Sequence, residues 1–282
     1  IKNWYKNLGN PDLHRVGLQM VKYRNREGWS HRDVLRLAHV TPDTSSESNL
    51  YAWAVGKDFE WNKLPKIVRG FELARTAETP RDTIRLIEKY NLPHEAVRKE
   101  HLSDPQVWEA LIPGMPINAL VRNLAHLTEK GVIAPGREMT HVVVDKLTDP
   151  EAVRKSRIHP FSVLLALMQY QSGYQNIRDS RGWIVKTSWW RPVTAVVDAL
   201  DELYYLAAGN VTPTNKRIML TLDLSNSMNQ TIIGTDITAR QGSAAMAMIT
   251  ANTEPHALIT GFTAGGDNPT RFHRKSREGL SL

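Results

Sequence analysis

Apolar residues recur along this chain with two different periods. In "TPRDTIRLIEKY", which starts at Thr79, Ile84, Ile87 and Tyr90 fall on one face of a helix. In "IMLTLDLSNSMNQ", which starts at Ile218, Ile218, Leu220 and Leu222 alternate with Met219 and Thr221, the two-residue period of a strand. Strand signals are scarce before residue 214, so residues 1–213 read as stacked antiparallel helices. The stretch "AAGNVTPTNKR" (207–217) is rich in Gly, Asn, Thr and Pro and marks a boundary. Beyond the strand at 218, residues 237–250 read as a helix whose small Gly242, Ala244, Ala245 and Ala247 suit close packing on a sheet. "ALITGF" (257–262) reads as the next strand. The prediction is a mainly α chain, with a helical-repeat domain over 1–213 and the start of an α/β domain over 214–282.

The helical part repeats itself. "LSDPQ" at Leu102 is echoed by "LTDPE" at Leu147, 45 residues on, and "RLAHVT" at Arg36 by "NLAHLT" at Asn123, 87 residues on. Periods of about 40 to 47 residues built from helix pairs are those of HEAT-like solenoids. Ser103 or Thr148 is expected to cap a helix that has Pro105 or Pro150 in its first turn and Gln106 or Glu151 completing a capping box.

Charge adds a location. The net charge is +7, and residues 1–40 carry +5 of it, from eight Lys/Arg against Asp12, Glu27 and Asp33. A positive field concentrated there favours contact with a polyanion. Lys22 and Arg26 are four apart and predicted to share a helix face, as are Arg32 and Arg36; Arg24 lies between the first two. Pattern alone leaves phosphate contact and a solvated face both open. His39 follows Val34, Leu35 and Leu37, and its counterpart His126 recurs with the repeat, which favours a structural role for His126. Arg122 and Asn123 read as polar bridges between repeats, with a single-strand groove as the alternative. Arg154, Lys155, Arg157 and His159 form a weaker basic cluster. Of the tryptophans, Trp108 is expected in the core, and one of Trp189 and Trp190 at the surface. The chain has no cysteine, no apolar run that could span a bilayer and no signal-peptide pattern. These features exclude thiolate chemistry and fit a cytoplasmic protein.

The strand at 218 runs into Asp223, Ser225 and Ser227, a D-x-S-x-S pattern. Hard oxygen donors at the carboxyl end of a parallel strand suit a divalent cation such as Mg2+. One acid and two hydroxyls make half a coordination shell, and the other reading is a turn whose serines cap the next helix. A single carboxylate lacks the paired acids of two-metal phosphodiester chemistry, which argues against a hydrolase or nuclease.

The D-x-S-x-S strand end followed by a small-residue helix resembles the metal-ion-dependent adhesion site of von Willebrand factor A domains. "KYRNREGWSHRDVLRLAH" (22–39), "MPINALVRNL" (115–124), "RIHPFSVLLAL" (157–167) and "DLSNSMNQ" (223–230), in that order, resemble the Ro autoantigen family of TROVE-domain RNA-binding proteins. The resemblance implies a ring of HEAT-like helices closed by a von Willebrand A domain, with no catalytic activity of its own. It implies an outer surface that binds small noncoding Y RNAs and a central hole that takes single-stranded 3′ ends of misfolded RNAs. It also implies a role in RNA quality control, with an exoribonuclease or other protein as further partner and no membrane. It places Lys22, Arg26 and His39 at Y-RNA-contacting positions, with Arg24, Arg32 and Arg36 as neighbours, and Asp223, Ser225 and Ser227 at the metal. Helices normally ahead of Ile1, and the later von Willebrand loops that complete the metal site, have no counterpart here, so the chain reads as incomplete at both ends. The competing reading is a protein-interaction scaffold in which the metal site grips an acidic partner residue.

Overall fold

The computed structural model describes residues 3–5, 13–25, 27–179, 181–232, 237–263 and 270–272. They are mainly helical and fall into two compact units, residues 1–115 and 116–282.

The first unit holds α1 (His14–Lys22), α2 (His31–Ala38), α3 (Ser45–Val55), α4 (Lys66–Thr76), α5 (Pro80–Tyr90) and α6 (Pro105–Leu111); α2 packs on α3, α4 on α5 and α5 on α6, with α1 lying on α4. Val16 and Met20 of α1 meet Ile67, Val68 and Phe71 of α4 in a core closed to water. Gly70 is what lets α4 approach α5: a Cβ there would stand 2.5 Å from the Cβ of Tyr90. Thr79 caps α5 as its sequence predicts, accepting a hydrogen bond from the Asp82 amide.

The second unit begins with α7 (Ile117–Glu129), α8 (Glu138–Thr148), α9 (Pro150–Ser156), α10 (Pro160–Ser172) and α11 (Thr194–Ala208). Its core joins Leu120, Leu124 and Leu127 of α7 to Leu164 and Tyr170 of α10 and Leu200 and Leu203 of α11. After α11 come β3 (Ile218–Asp223), α12 (Ala239–Thr253), β4 (Ala257–Phe262) and β5 (Thr270–Phe272), in sheet order β3-β4-β5. The β3–β4 pair is parallel, with Ile218 opposite Ala257 and Asp223 opposite Phe262, and β5 runs antiparallel to β4. Thr238 and Gln241 close a capping box on α12, and the small Gly242, Ala245 and Ala247 are buried as it packs on β3 and β4.

Several local expectations are corrected. The helices at the repeated L-[S/T]-D-P segments are capped by Asp104 and Asp149, whose carboxylates accept from the Gln106 amide and from the Glu151 and Ala152 amides. Proline takes the first helical position, so the residue just before it becomes the cap. Ser103 and Thr148 bond back to carbonyls of Glu100 and Val144 instead. The long helical region also holds an antiparallel hairpin, β1 (Tyr174–Arg178) with β2 (Ile184–Trp189), which the alternation did not reveal. At its base Trp190 is buried while Trp189 is exposed. Along β3 exposure alternates, with Met219 67 % exposed and Thr221 exposed between half-buried Ile218, Leu220 and Leu222. Asn123 donates to the Ala119 carbonyl of its own helix, so it does not bridge repeats.

Candidate nucleic-acid interface

The basic segment of the first unit is built around one short connection. α1 ends at Lys22, so the expected helical pairing of Lys22 with Arg26 is not formed by that helix; Arg26 itself lies outside the described residues. Lys22 is half-buried and its ammonium lies 3.8 Å from Glu95. Arg24, two residues on, is exposed and places its guanidinium 4.9 Å from the centre of the Phe71 ring, a cation–π contact.

α2 then starts with a full capping box. The Ser30 amide and hydroxyl both donate to the Asp33 carboxylate, and the Asp33 amide donates back to the Ser30 hydroxyl. The Ser30 hydroxyl, followed by its amide, holds the Asp33 carboxyl below its ordinary pKa. Arg32 and Arg36 are both exposed on α2, as their spacing predicts, and Arg36 donates to the Val55 carbonyl. His39 caps the far end in the left-handed conformation, with φ 46°, and is exposed. His126, its sequence counterpart, sits inside α7, and burial holds its imidazole below the ordinary pKa. The repeated motif therefore puts the two histidines in different places. Lys22, Arg24, Arg32, Arg36 and His39 thus occupy one 18-residue stretch, and all but Lys22 are exposed.

The aromatic side chains beside them escaped the sequence reading. Trp29 is 57 % exposed, and Trp4 and Tyr23 are also exposed. A signal was present: Trp29 directly precedes the Ser30 cap, the position from which an apolar residue reaches over the first helical turn. Elsewhere the tryptophan reading holds. Trp108 is buried and donates to the Leu102 carbonyl. Of the weaker basic cluster, Arg157 is the left-handed cap of α9 and His159 caps α10 by accepting from the Phe161 amide.

In the second unit, the D-x-S-x-S residues converge at the end of β3. The Ser225 amide donates to Asp223 Oδ1 at 2.8 Å, and the hydroxyls of Ser225 and Ser227 are 2.8 Å apart. The Ser225 amide, followed by its hydroxyl and the charge of Arg240, holds the Asp223 carboxyl below its ordinary pKa. Arg240 donates to the carbonyls of Leu224 and Ser225. Among the described residues no three His, Cys, Asp or Glu side chains gather as a metal site. A cation would therefore depend on one carboxylate, two hydroxyls and water, a donor set that fits Mg2+.

Residues 92–216 match the TROVE domain, and residues 217–277 match the Ro60 vWA domain. An RNA-binding protein RO60 of Deinococcus radiodurans is 36% identical over 256 residues, covering 89% of this chain and 46% of that protein. An RNA-binding protein RO60 of Caenorhabditis elegans is 28% identical, covering 93% of this chain and 46% of its own. The crystal structure of the Deinococcus radiodurans RO (RSR) protein matches with a TM-score of 0.72 and 34% identity, over 93% of this chain and 51% of that one. The chain thus spans about half the length of the relatives it matches.

Proposed function

The chain belongs to the Ro family of TROVE-domain proteins, and from that premise we propose that it is a non-catalytic RNA-binding protein. The observation that carries the reading is the clustering of Lys22, Arg24, Arg32, Arg36 and His39 on one turn-and-helix segment of the first unit. Long cationic side chains on a shared surface neutralise successive phosphates and release counterions. The ligand proposed for that surface is a small structured noncoding RNA of the Y type. Single-stranded ends of misfolded RNA are the proposed second ligand, in an RNA quality-control role in the cytoplasm with an exoribonuclease as partner. No helix among the described residues is long and apolar enough to cross a membrane.

The test is RNA crosslinking and sequencing from cells of the source organism, comparing the full-length protein with a folded Lys22→Ala/Arg26→Ala variant. Enrichment of a few structured small RNAs that disappear in the variant is the expected result. Recovery of no RNA above background, or of the same set by the variant, removes the assignment.

A second reading is favoured by the convergence of Asp223, Ser225 and Ser227. In it these residues hold a divalent cation, which when bound supplies a positive charge able to accept an acidic side chain from a protein partner. The Ser225 amide donates to Asp223 Oδ1 and, with the Ser225 hydroxyl, holds that carboxyl below its ordinary pKa.

A further inference from the structure

Two cavities in the first unit share a wall. The larger, about 580 Å3, is aromatic and apolar, bounded by Trp4, Tyr23, Trp29 and Val34 with Glu27 at its edge. The smaller, about 280 Å3, is bounded by Arg24, Arg32 and Arg75 together with Trp53, Phe71 and Glu72. Ser30 and His31 line both. The larger volume lies within the roughly 300–1,000 Å3 of small-ligand clefts, and the smaller is close to its lower bound.

The wall is fixed from several sides. Ser30 is held by its capping box with Asp33. The His31 ring nitrogen Nδ1 lies 2.7 Å from the hydroxyl of the buried Tyr5, and the ring stacks on Trp4 with centres 6.1 Å apart. Burial keeps this imidazole below its ordinary pKa, so it presents a neutral ring to both sides. The two chambers differ in charge. Arg24, Arg32 and Arg75 line the smaller one with a single carboxylate, Glu72, which accepts from Trp53 and pairs with Arg75, so Arg24 and Arg32 carry its excess positive charge. The larger has exposed aromatic faces and one carboxylate, Glu27, which would repel a phosphate but can accept from the amino group of a base.

We propose that these adjoining cavities form a single-nucleotide subsite, taking an unpaired RNA base between the aromatic side chains and its phosphate at the arginines. Trp29 is the principal stacking surface, because it lines the larger cavity and is the most exposed ring there. The complementarity specifies the occupant: a flat π-face joined to an anion one short linkage away matches the aromatic and cationic chambers in order. Duplex RNA, whose bases are stacked inside the helix, has nothing to offer the aromatic side. The subsite rests on the reading of the protein as RNA-binding and adds to it a means of telling single strands from duplex at this surface.

The experiment uses the full-length protein and two labelled probes, a short single-stranded RNA and the blunt duplex made by annealing it to its complement. Affinities are measured by fluorescence anisotropy at fixed salt for wild type, Trp29→Ala and Trp29→Phe. A 5-bromouridine version of the single strand maps the crosslinked peptide. Trp29→Ala is expected to weaken the single strand about tenfold, the scale of one base–aromatic stack, and to leave the duplex unchanged. Trp29→Phe is expected to restore most of the loss, and the wild-type crosslink to fall on the peptide carrying Tyr23 and Trp29. Equal weakening of both probes by Trp29→Ala, or none, overturns the subsite. So does the absence of any crosslink on Trp4, Tyr23 or Trp29, as expected if another segment of the protein fills the aromatic cavity. If wild type binds neither probe, the RNA-binding reading itself falls.

Discussion

The ammonium of Lys22 lies 3.8 Å from the carboxylate of Glu95, and both side chains are partly shielded from water. The lysine that the sequence marks first for phosphate contact is therefore already engaged with an acid. An RNA phosphate must displace or share that partner, and the pair holds the lysine in place meanwhile. Exposed or half-exposed ion pairs contribute up to about 1 kcal/mol. Glu95→Gln is accordingly expected to tighten RNA binding by up to about fivefold at low salt. Lys22→Ala should weaken it and lower the slope of log K against log salt by about 1. Filter binding across a salt series reads both. Unchanged affinity in Glu95→Gln would mean that phosphate does not compete for Lys22.

Gly70 gives a test of the packing that supports this surface. An added methyl would meet Tyr90 at 2.5 Å, with the Leu92 side chain 3.0 Å away. Relief requires α4 and α5 to separate, and overpacking of that kind costs roughly 1–3 kcal/mol. Gly70→Ala should lower the urea midpoint of the first unit's transition. An unchanged midpoint would show that the two helices can part freely.

Glu254 ties the linker that follows α11 to the end of α12. Its carboxylate accepts from the amides of Thr214 at 2.7 Å and Asn215 at 3.1 Å. The Thr214 amide is the main reason its pKa is held below the ordinary glutamate range. A depressed folded-state pKa means that the stabilisation is complete above the unfolded value, about 4.3, and is lost as pH falls through the folded one. Glu254→Gln should lower the melting temperature at neutral pH and bring it closer to wild type in acid. A difference that stayed constant with pH would assign the effect to shape instead of charge.

The cation reading of Asp223 makes a calorimetric prediction. If Mg2+ binds the folded protein there, saturating the full-length protein at a hundredfold its dissociation constant adds about 2.7 kcal/mol of stability. Asp223→Asn should abolish that gain while leaving the β3–β4 pairing intact, as read by circular dichroism. Mg2+-dependent stabilisation that survives in Asp223→Asn would place the ion elsewhere.

How much of this was legible in the sequence depended on whether a residue's neighbours or its distant contacts decide its place. The helix beginning at Thr79 was legible, because capping is a matter of three or four adjacent residues, while the helix read over 237–250 begins two residues later, behind its Thr238 cap. The same logic failed at Ser103 and Thr148 through a shift of one residue, since proline fixes the first helical position and hands the cap to the aspartate before it. The β1–β2 hairpin was missed because it is largely exposed and so leaves no alternating apolar face to detect. His39 and His126 share a motif but not a position, because α7 runs on past its histidine while α2 stops at its own. The aromatic cavity was beyond reach, since Trp4 comes to His31 only through the fold. That Asp223, Ser225 and Ser227 come together was legible because they follow one another at the end of a strand.

The hairpin leaves the helical body and returns to it at one point. The Trp190 amide donates to the Gly173 carbonyl at 2.9 Å, and the Trp190 indole donates to the Tyr170 carbonyl. Tyr170 in turn anchors that point inward, its hydroxyl lying 2.9 Å from that of Thr128 and accepting from the Val193 amide. Whatever lies between Gly173 and Trp190 is thus closed off by its own stem. A change of length at the tip of this arm is therefore borne by the stem and leaves the stacked helices in place.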